Sequence, residues 1–177
     1  MGQLAKLYAY PLRRHDENSF VFTTEKGNSY AIRFVRYWQE DVLPIYLGID
    51  LEIYEIYFEV VKIQHKGYDA RIQYTLMDTI IDFLSVNNRI GFFDIEREDG
   101  RGKELLRVYN IWLKMYEKAT GKTGTMVNRI VHNPGQSNSY IACIIHRDNQ
   151  ILNESNTEEL MNLALREIFP SGQVESF

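Results

Sequence analysis

A chain of 177 residues with 45% apolar and 25% charged side chains is long enough to bury one sizeable core, so neither disulfides nor a structural metal is needed for folding. Its formal charge of -4 and pI near 5.6 give phosphate backbones no overall attraction, and the compact basic cluster Arg13, Arg14 and His15 is followed at once by Asp16 and Glu17, which argues against nucleic-acid binding. The single cysteine, Cys143, excludes an internal disulfide and a thiolate zinc cage, no apolar run approaches the ~20 residues of a bilayer span, and the opening residues lack a signal peptide's apolar core, so a cytoplasmic location without membrane attachment is expected.

Phe20 and Phe22, then Tyr30, Ile32 and Phe34, alternate with polar neighbours across the turn-prone Glu25-Lys26-Gly27-Asn28, which predicts a β-hairpin. Residues 37–47, holding Trp38 and Pro44, read as a connecting excursion. Residues 51–63 resume a β pattern in which the apolar set shifts from odd positions (Leu51, Ile53) to even ones (Ile56, Phe58, Val60). A one-residue shift of that kind predicts a bulge and a bend near Tyr54.

Asp69 is placed to cap a helix whose apolar stripe is Ile72, Leu76, Ile80, Phe83 and Leu84, ending at Asn87-Asn88. Residues 89–97 are apolar on both faces, as a central strand is. A second helix, capped by Asp99 and stopped by Gly121, carries Leu105, Val108, Tyr109, Trp112, Met115 and Tyr116 on one face. Residues 126–132 and 139–146 flank a Pro-Gly loop as an antiparallel pair, with His132 expected opposite Tyr140. A last helix starts at the capping box Ser155-Asn156-Thr157-Glu158 and halts before Pro170.

With a first strand near residues 4–12, the expectation is one α+β domain over residues 1–177. Its core is a mixed, mainly antiparallel sheet of six to seven strands with three main helices, in the order β-β-β-α-β-α-β-β-α.

Several motifs read as structure. Gly121-Lys122-Thr123 imitates the end of a phosphate-binding P-loop, but Tyr116 stands where that loop needs its first glycine, so it is a helix stop. His132 and His146 fall at opposite ends of their hairpin, roughly 20 Å apart at ~3.3 Å per residue, too far to share an ion. Cys143 between Ala142 and Ile144 reads as a small core residue. Asp94, Glu96, Glu98 and Asp99 lack the oxygen spacing of a calcium loop, and no metal is expected.

From about residue 51 to 147, the order strand, helix, strand, helix, two antiparallel strands is similar to the core of the GNAT N-acyltransferases. Gln64-His65-Lys66-Gly67-Tyr68-Asp69 resembles that family's pyrophosphate turn in its first Gln and first Gly, and Met115-Tyr116-Glu117-Lys118 resembles its Leu-Tyr-Glu-Lys. The resemblance implies acetyl-CoA or another acyl-CoA as co-substrate, held by Gln64, Gly67, Tyr68 and Arg71 at a helix N-terminus, with Tyr116 as general acid and Glu55 or Glu59 as base. Asp69 departs from the family's Gly or Ala, and a carboxylate there opposes an anion. The chain also loosely resembles, through its β-rich start and the spacing of Arg107 and Trp112, a bacterial family of unknown function, which implies no activity.

The second reading is a non-catalytic interaction module, such as an antitoxin, immunity or regulatory protein. The aromatic share of 13% would serve its interface with a protein partner.

Overall fold

The structure is a computed structural model that describes residues 9–37, 51–86, 88–95, 101–135, 137–149, 152–168 and 170–176. All of the expected excursion at 37–47 except Tyr37, residues 4–8 of the expected first strand, and Glu96, Glu98 and Asp99 lie outside the described residues, while residues 9–12 are not in a strand and the first described strand begins at Arg13.

The first three strands are β1 (Arg13–Asp16), exposed throughout, β2 (Ser19–Thr23) and β3 (Ser29–Arg36). The β2–β3 hairpin closes where the Thr24 amide donates to the Asn28 carbonyl at 2.8 Å. Gly27 supplies the positive φ of 79° that the turn requires. Next come β4 (Glu52–Lys62), α1 (Ala70–Phe83), β5 (Arg89–Asp94) and α2 (Gly102–Thr120). The chain continues through β6 (Gly124–His132), β7 (Ser139–His146), α3 (Glu154–Ile168) and β8 (Gln173–Ser176). The fold is α+β, with three helices and an eight-stranded sheet among the described residues, ordered β1-β2-β3-β4-β5-β7-β6-β8. Among the described pairings β4–β5 alone is parallel. No helix among the described residues is long and apolar enough to cross a membrane.

Helices cover both faces of the sheet, and this corrects the expected bulge. Tyr54 and Ile56 pack with Leu76, Ile80, Leu106 and Leu113 beneath α1 and α2. Leu51 and Ile53 pack with Ile90, Leu160, Met161 and Leu165 beneath α3. The apolar set changes parity because β4 is buried on both sides near its start. The β3–β4 ladder runs without interruption from Arg36↔Tyr54 to Tyr30↔Val60, and its irregularity sits at the other end, where Ser29 pairs with Lys62.

Helix ends follow local chemistry with two shifts. Asp69 caps α1 as expected, its Oδ1 accepting the Arg71 amide at 3.0 Å. Gly121 stops α2 at φ 73°. The N-cap of α2 is Arg101, with no side-chain cap bond. Gly102 follows because a Cβ there would lie 2.0 Å from Tyr140. The cap of α3 is Asn153, whose Oδ1 accepts the Asn156 amide at 3.0 Å, so the expected Ser155 falls inside the first turn. In the β6–β7 hairpin Tyr140 pairs with Ile130 instead of His132, which places His146 opposite Gly124.

Candidate functional site

The parallel pair β4–β5 is short. It runs from Glu52↔Arg89 to Glu55↔Phe92 and ends there, although β4 continues to Lys62 and β5 to Asp94. Past that point, among the described residues, β4 pairs with β3 and β5 pairs with β7. At the closed end Arg89 Nε donates to Glu52 Oε2 at 3.0 Å, and its guanidinium lies over the rings of Phe83 and Tyr54. That hydrogen bond from Arg89 holds the Glu52 carboxyl below the usual range. Where the strands part, Ile56 leans over Gly91, whose absent Cβ would meet Ile56 Cδ1 at 2.5 Å.

The opening is lined on the α1–α2 side by Ile56, Phe58, Phe93, Asp94, Leu105 and Tyr109, a cleft of about 670 Å³ including its mouth. On the opposite face, beneath α3, lies a second cavity of about 720 Å³ including its mouth, whose walls include Tyr37, Ile53, Glu55, Phe92, Asp94 and Leu160. Asp94 reaches both. This lies at the carboxyl end of a parallel strand, beside a change of strand direction, the place where open α/β sheets bind ligands.

Glu55 and Asp94 set the charge of the second cavity. Tyr57, two residues from Glu55 on the same side of β4, gives its hydroxyl to Glu55, and that hydrogen bond, with burial, pushes its pKa up to about 12. Burial raises Tyr37 first, and the carboxylates of Glu55 and Asp94 raise it further. Cys143 also lines this cavity, and burial pushes its thiol up to about 12. It is a core residue, as expected, because nucleophilic chemistry needs a thiolate.

Of the two expected bases, Glu55 lines the cavity beneath α3, and Glu59 lines neither that cavity nor the cleft. Glu59 is ion-paired with Arg33, whose guanidinium sits 5.4 Å over the Tyr57 ring.

The residues expected to seat a pyrophosphate lie together at the amino end of α1, and the chain's own groups occupy that end. The amides of Gln64 and His65 donate to Asn28 Oδ1 at 2.8 and 2.9 Å. Asp69 Oδ2 accepts the Tyr10 hydroxyl at 2.7 Å. Arg71 pairs with Glu25 and stacks 4.0 Å over the Tyr10 ring. Gly67 adopts φ 139°. Tyr68 is 74% exposed, its hydroxyl donating to Gln73 Oε1 at 2.9 Å.

Tyr116, the expected general acid, lies elsewhere. It is 1% exposed and donates to Asp78 Oδ1 at 2.5 Å, and Lys122 joins Asp78 to Asp82. Tyr109 is the α2 tyrosine on the cleft wall. Tyr116 sits seven residues further along, about 10 Å at 1.5 Å per residue. Burial first, then Asp78, raises the Tyr116 pKa above the ordinary tyrosine value, so this proton is held in the core.

Below pH 10 tyrosine is protonated in both folded and unfolded chains. Above it the unfolded chain ionises while folded Tyr116 does not, and stability falls as pH rises. Tyr116→Phe should cost about 1 kcal/mol at pH 7, and urea midpoints of the two proteins should converge between about pH 10 and 11. A gap that stays constant over that range would contradict the assignment.

Tyr37 and Tyr57 carry no signal in the sequence as site residues, and Asp94 is weighed there only as part of an acidic turn. Asp94 carried a usable signal as the first charged residue after an apolar central strand. Comparison with models of known protein families and with curated proteins found no match to either.

Proposed function

We propose that this chain is an acyl-CoA-dependent N-acyltransferase of the GNAT type, or a degenerate relative of one, using acetyl-CoA or another acyl-CoA as co-substrate. The observation that carries the reading is the parallel pair β4–β5 that separates after Glu55↔Phe92, with a cleft on each face of the opening. In this reading the thioester lies in the cleft beside Phe93 and Tyr109, and the amine approaches from the Glu55 side. The amine nitrogen forms a C–N bond to the acyl carbon and the C–S bond breaks. Glu55 takes a proton from the nitrogen, and the departing thiolate takes one from solvent to leave as free coenzyme. A cytoplasmic location suits such a co-substrate.

The occupied amino end of α1 marks where a degenerate relative would differ, because Asp69 puts negative charge where the pyrophosphate would lie. One observation favours the alternative of a non-catalytic protein-interaction module. Val60, Val61, Ile63 and Tyr68 are all exposed in one run from the end of β4 into the loop before α1, an apolar surface of the kind a protein partner covers.

A thermal-shift titration with acetyl-CoA tests the proposal. A ligand specific for the folded chain at ten times its Kd adds about 1.4 kcal/mol, so the melting temperature should rise at millimolar acetyl-CoA. No rise, together with a stable complex co-purifying from the native cell, would replace transfer with the interaction reading.

A further inference from the structure

We propose that the cleft on the α1–α2 side of the strand opening binds a planar aromatic ring, seated between Phe58 on one wall and the Phe93–Tyr109 pair on the other. Two runs of ring contacts approach that cleft from opposite sides. From Tyr10 the first passes through Phe22 of β2 and Tyr30 of β3 to Phe58 of β4, each ring stacked on the next at 5.9, 5.2 and 5.5 Å. The second starts at Phe93 of β5, stacked on Tyr109 at 4.9 Å, and continues to Trp112 at 5.6 Å. Both runs pack on the core beneath α1 and α2. Among the described residues no ring contact joins Phe58 to Phe93, because β4 and β5 part after Glu55↔Phe92. Phe58, Phe93 and Tyr109 line the cleft left between them.

Across β2, β3 and β4 a ring on one strand covers a ring on the next, and at the opening that succession stops. A flat ring entering there meets Phe58 on one face and the Phe93–Tyr109 pair on the other, and aromatic pairs gain beyond the area they bury. A saturated ring of the same size is puckered, so it loses close contact with at least one wall. The space that water-sized molecules can fill in the cleft is about 310 Å³, against roughly 150 Å³ for an apolar cavity that holds benzene. Past Glu55 the edge of β4 facing the cleft has no ladder partner among the described residues, so its backbone groups suit an uncharged polar substituent on the ring. As the acyl group of a thioester co-substrate the ring rests on the acyl-transfer reading, whereas ring binding itself requires no coenzyme.

The full chain carrying Trp38→Phe keeps Trp112 as its only tryptophan, and its emission reports on the cleft through Tyr109. It is titrated to millimolar concentrations with benzyl alcohol and cyclohexylmethanol, then with benzoyl-CoA, cyclohexanecarbonyl-CoA and acetyl-CoA. The expected result is saturable benzyl alcohol binding at least fivefold tighter than that of cyclohexylmethanol, with the same preference for benzoyl-CoA over cyclohexanecarbonyl-CoA. Phe58→Leu, which keeps an apolar side chain and removes the ring, should cut that preference at least threefold. Leu105→Phe, which fills the cleft from α2, should weaken all of these ligands, and a thermal melt of each variant checks that it folds. Equal binding of benzyl alcohol and cyclohexylmethanol, or an undiminished preference in folded Phe58→Leu, would overturn the proposal. A preference for benzyl alcohol with no response to any thioester would keep this site and remove the transferase. Thioester binding with no aromatic preference in either series would do the reverse.

Discussion

Asp69→Asn should tighten acetyl-CoA binding ten- to a hundredfold. Asp69 is the N-cap of α1, with one carboxylate oxygen on the Arg71 amide and the other on the Tyr10 hydroxyl. Asparagine caps about as well as aspartate and can still accept a hydrogen bond, so the helix end should survive with a change well under about 1 kcal/mol. What changes is charge. A unit charge about 5 Å from a diphosphate in a partly exposed site contributes on the order of 1.4–3 kcal/mol of repulsion, less at high salt. Isothermal titration at low and high salt measures this. A tighter complex whose advantage shrinks with salt supports a pyrophosphate at the amino end of α1, and an unchanged affinity removes it from there.

Glu55→Gln should slow acyl transfer to an amine about 10²–10³-fold while leaving acetyl-CoA affinity within twofold. A positioned general base contributes roughly that factor, and Glu55 lines the α3-side cavity instead of the cleft proposed for the thioester. Glu59→Gln, on the same strand, should change the rate less than twofold, because Glu59 is engaged with Arg33 away from both cavities. Single-turnover rates of the two variants decide between them. Equal losses would mean that neither residue acts as the base.

The β2–β3 hairpin and the Asp69 cap were readable because each rests on contacts a few residues apart. The bend at Tyr54 was misread for a definite reason. Period-2 alternation cannot distinguish a register shift from a strand buried on both faces, and Ile53 and Ile56 serve two cores. Tyr116 lies in the core against Asp78 instead of on the cleft wall, a distance that a four-residue motif does not convey. The groups that occupy the amino end of α1 were invisible locally. Tyr10 reaches Asp69 across 59 residues and Asn28 reaches His65 across 37, so only the folded sheet brings them together. Asp94 became a site residue for the same reason, since its importance comes from β5 parting from β4.

Amide hydrogen exchange with and without saturating acetyl-CoA tests the central claim most directly. The account predicts slowed exchange on both sides of the strand opening, at residues 56–58 of β4 and 93–94 of β5, with β1 and β8 unaffected. Slowing confined to the exposed loop before α1, or none at either strand at saturation, would contradict a thioester seated between them.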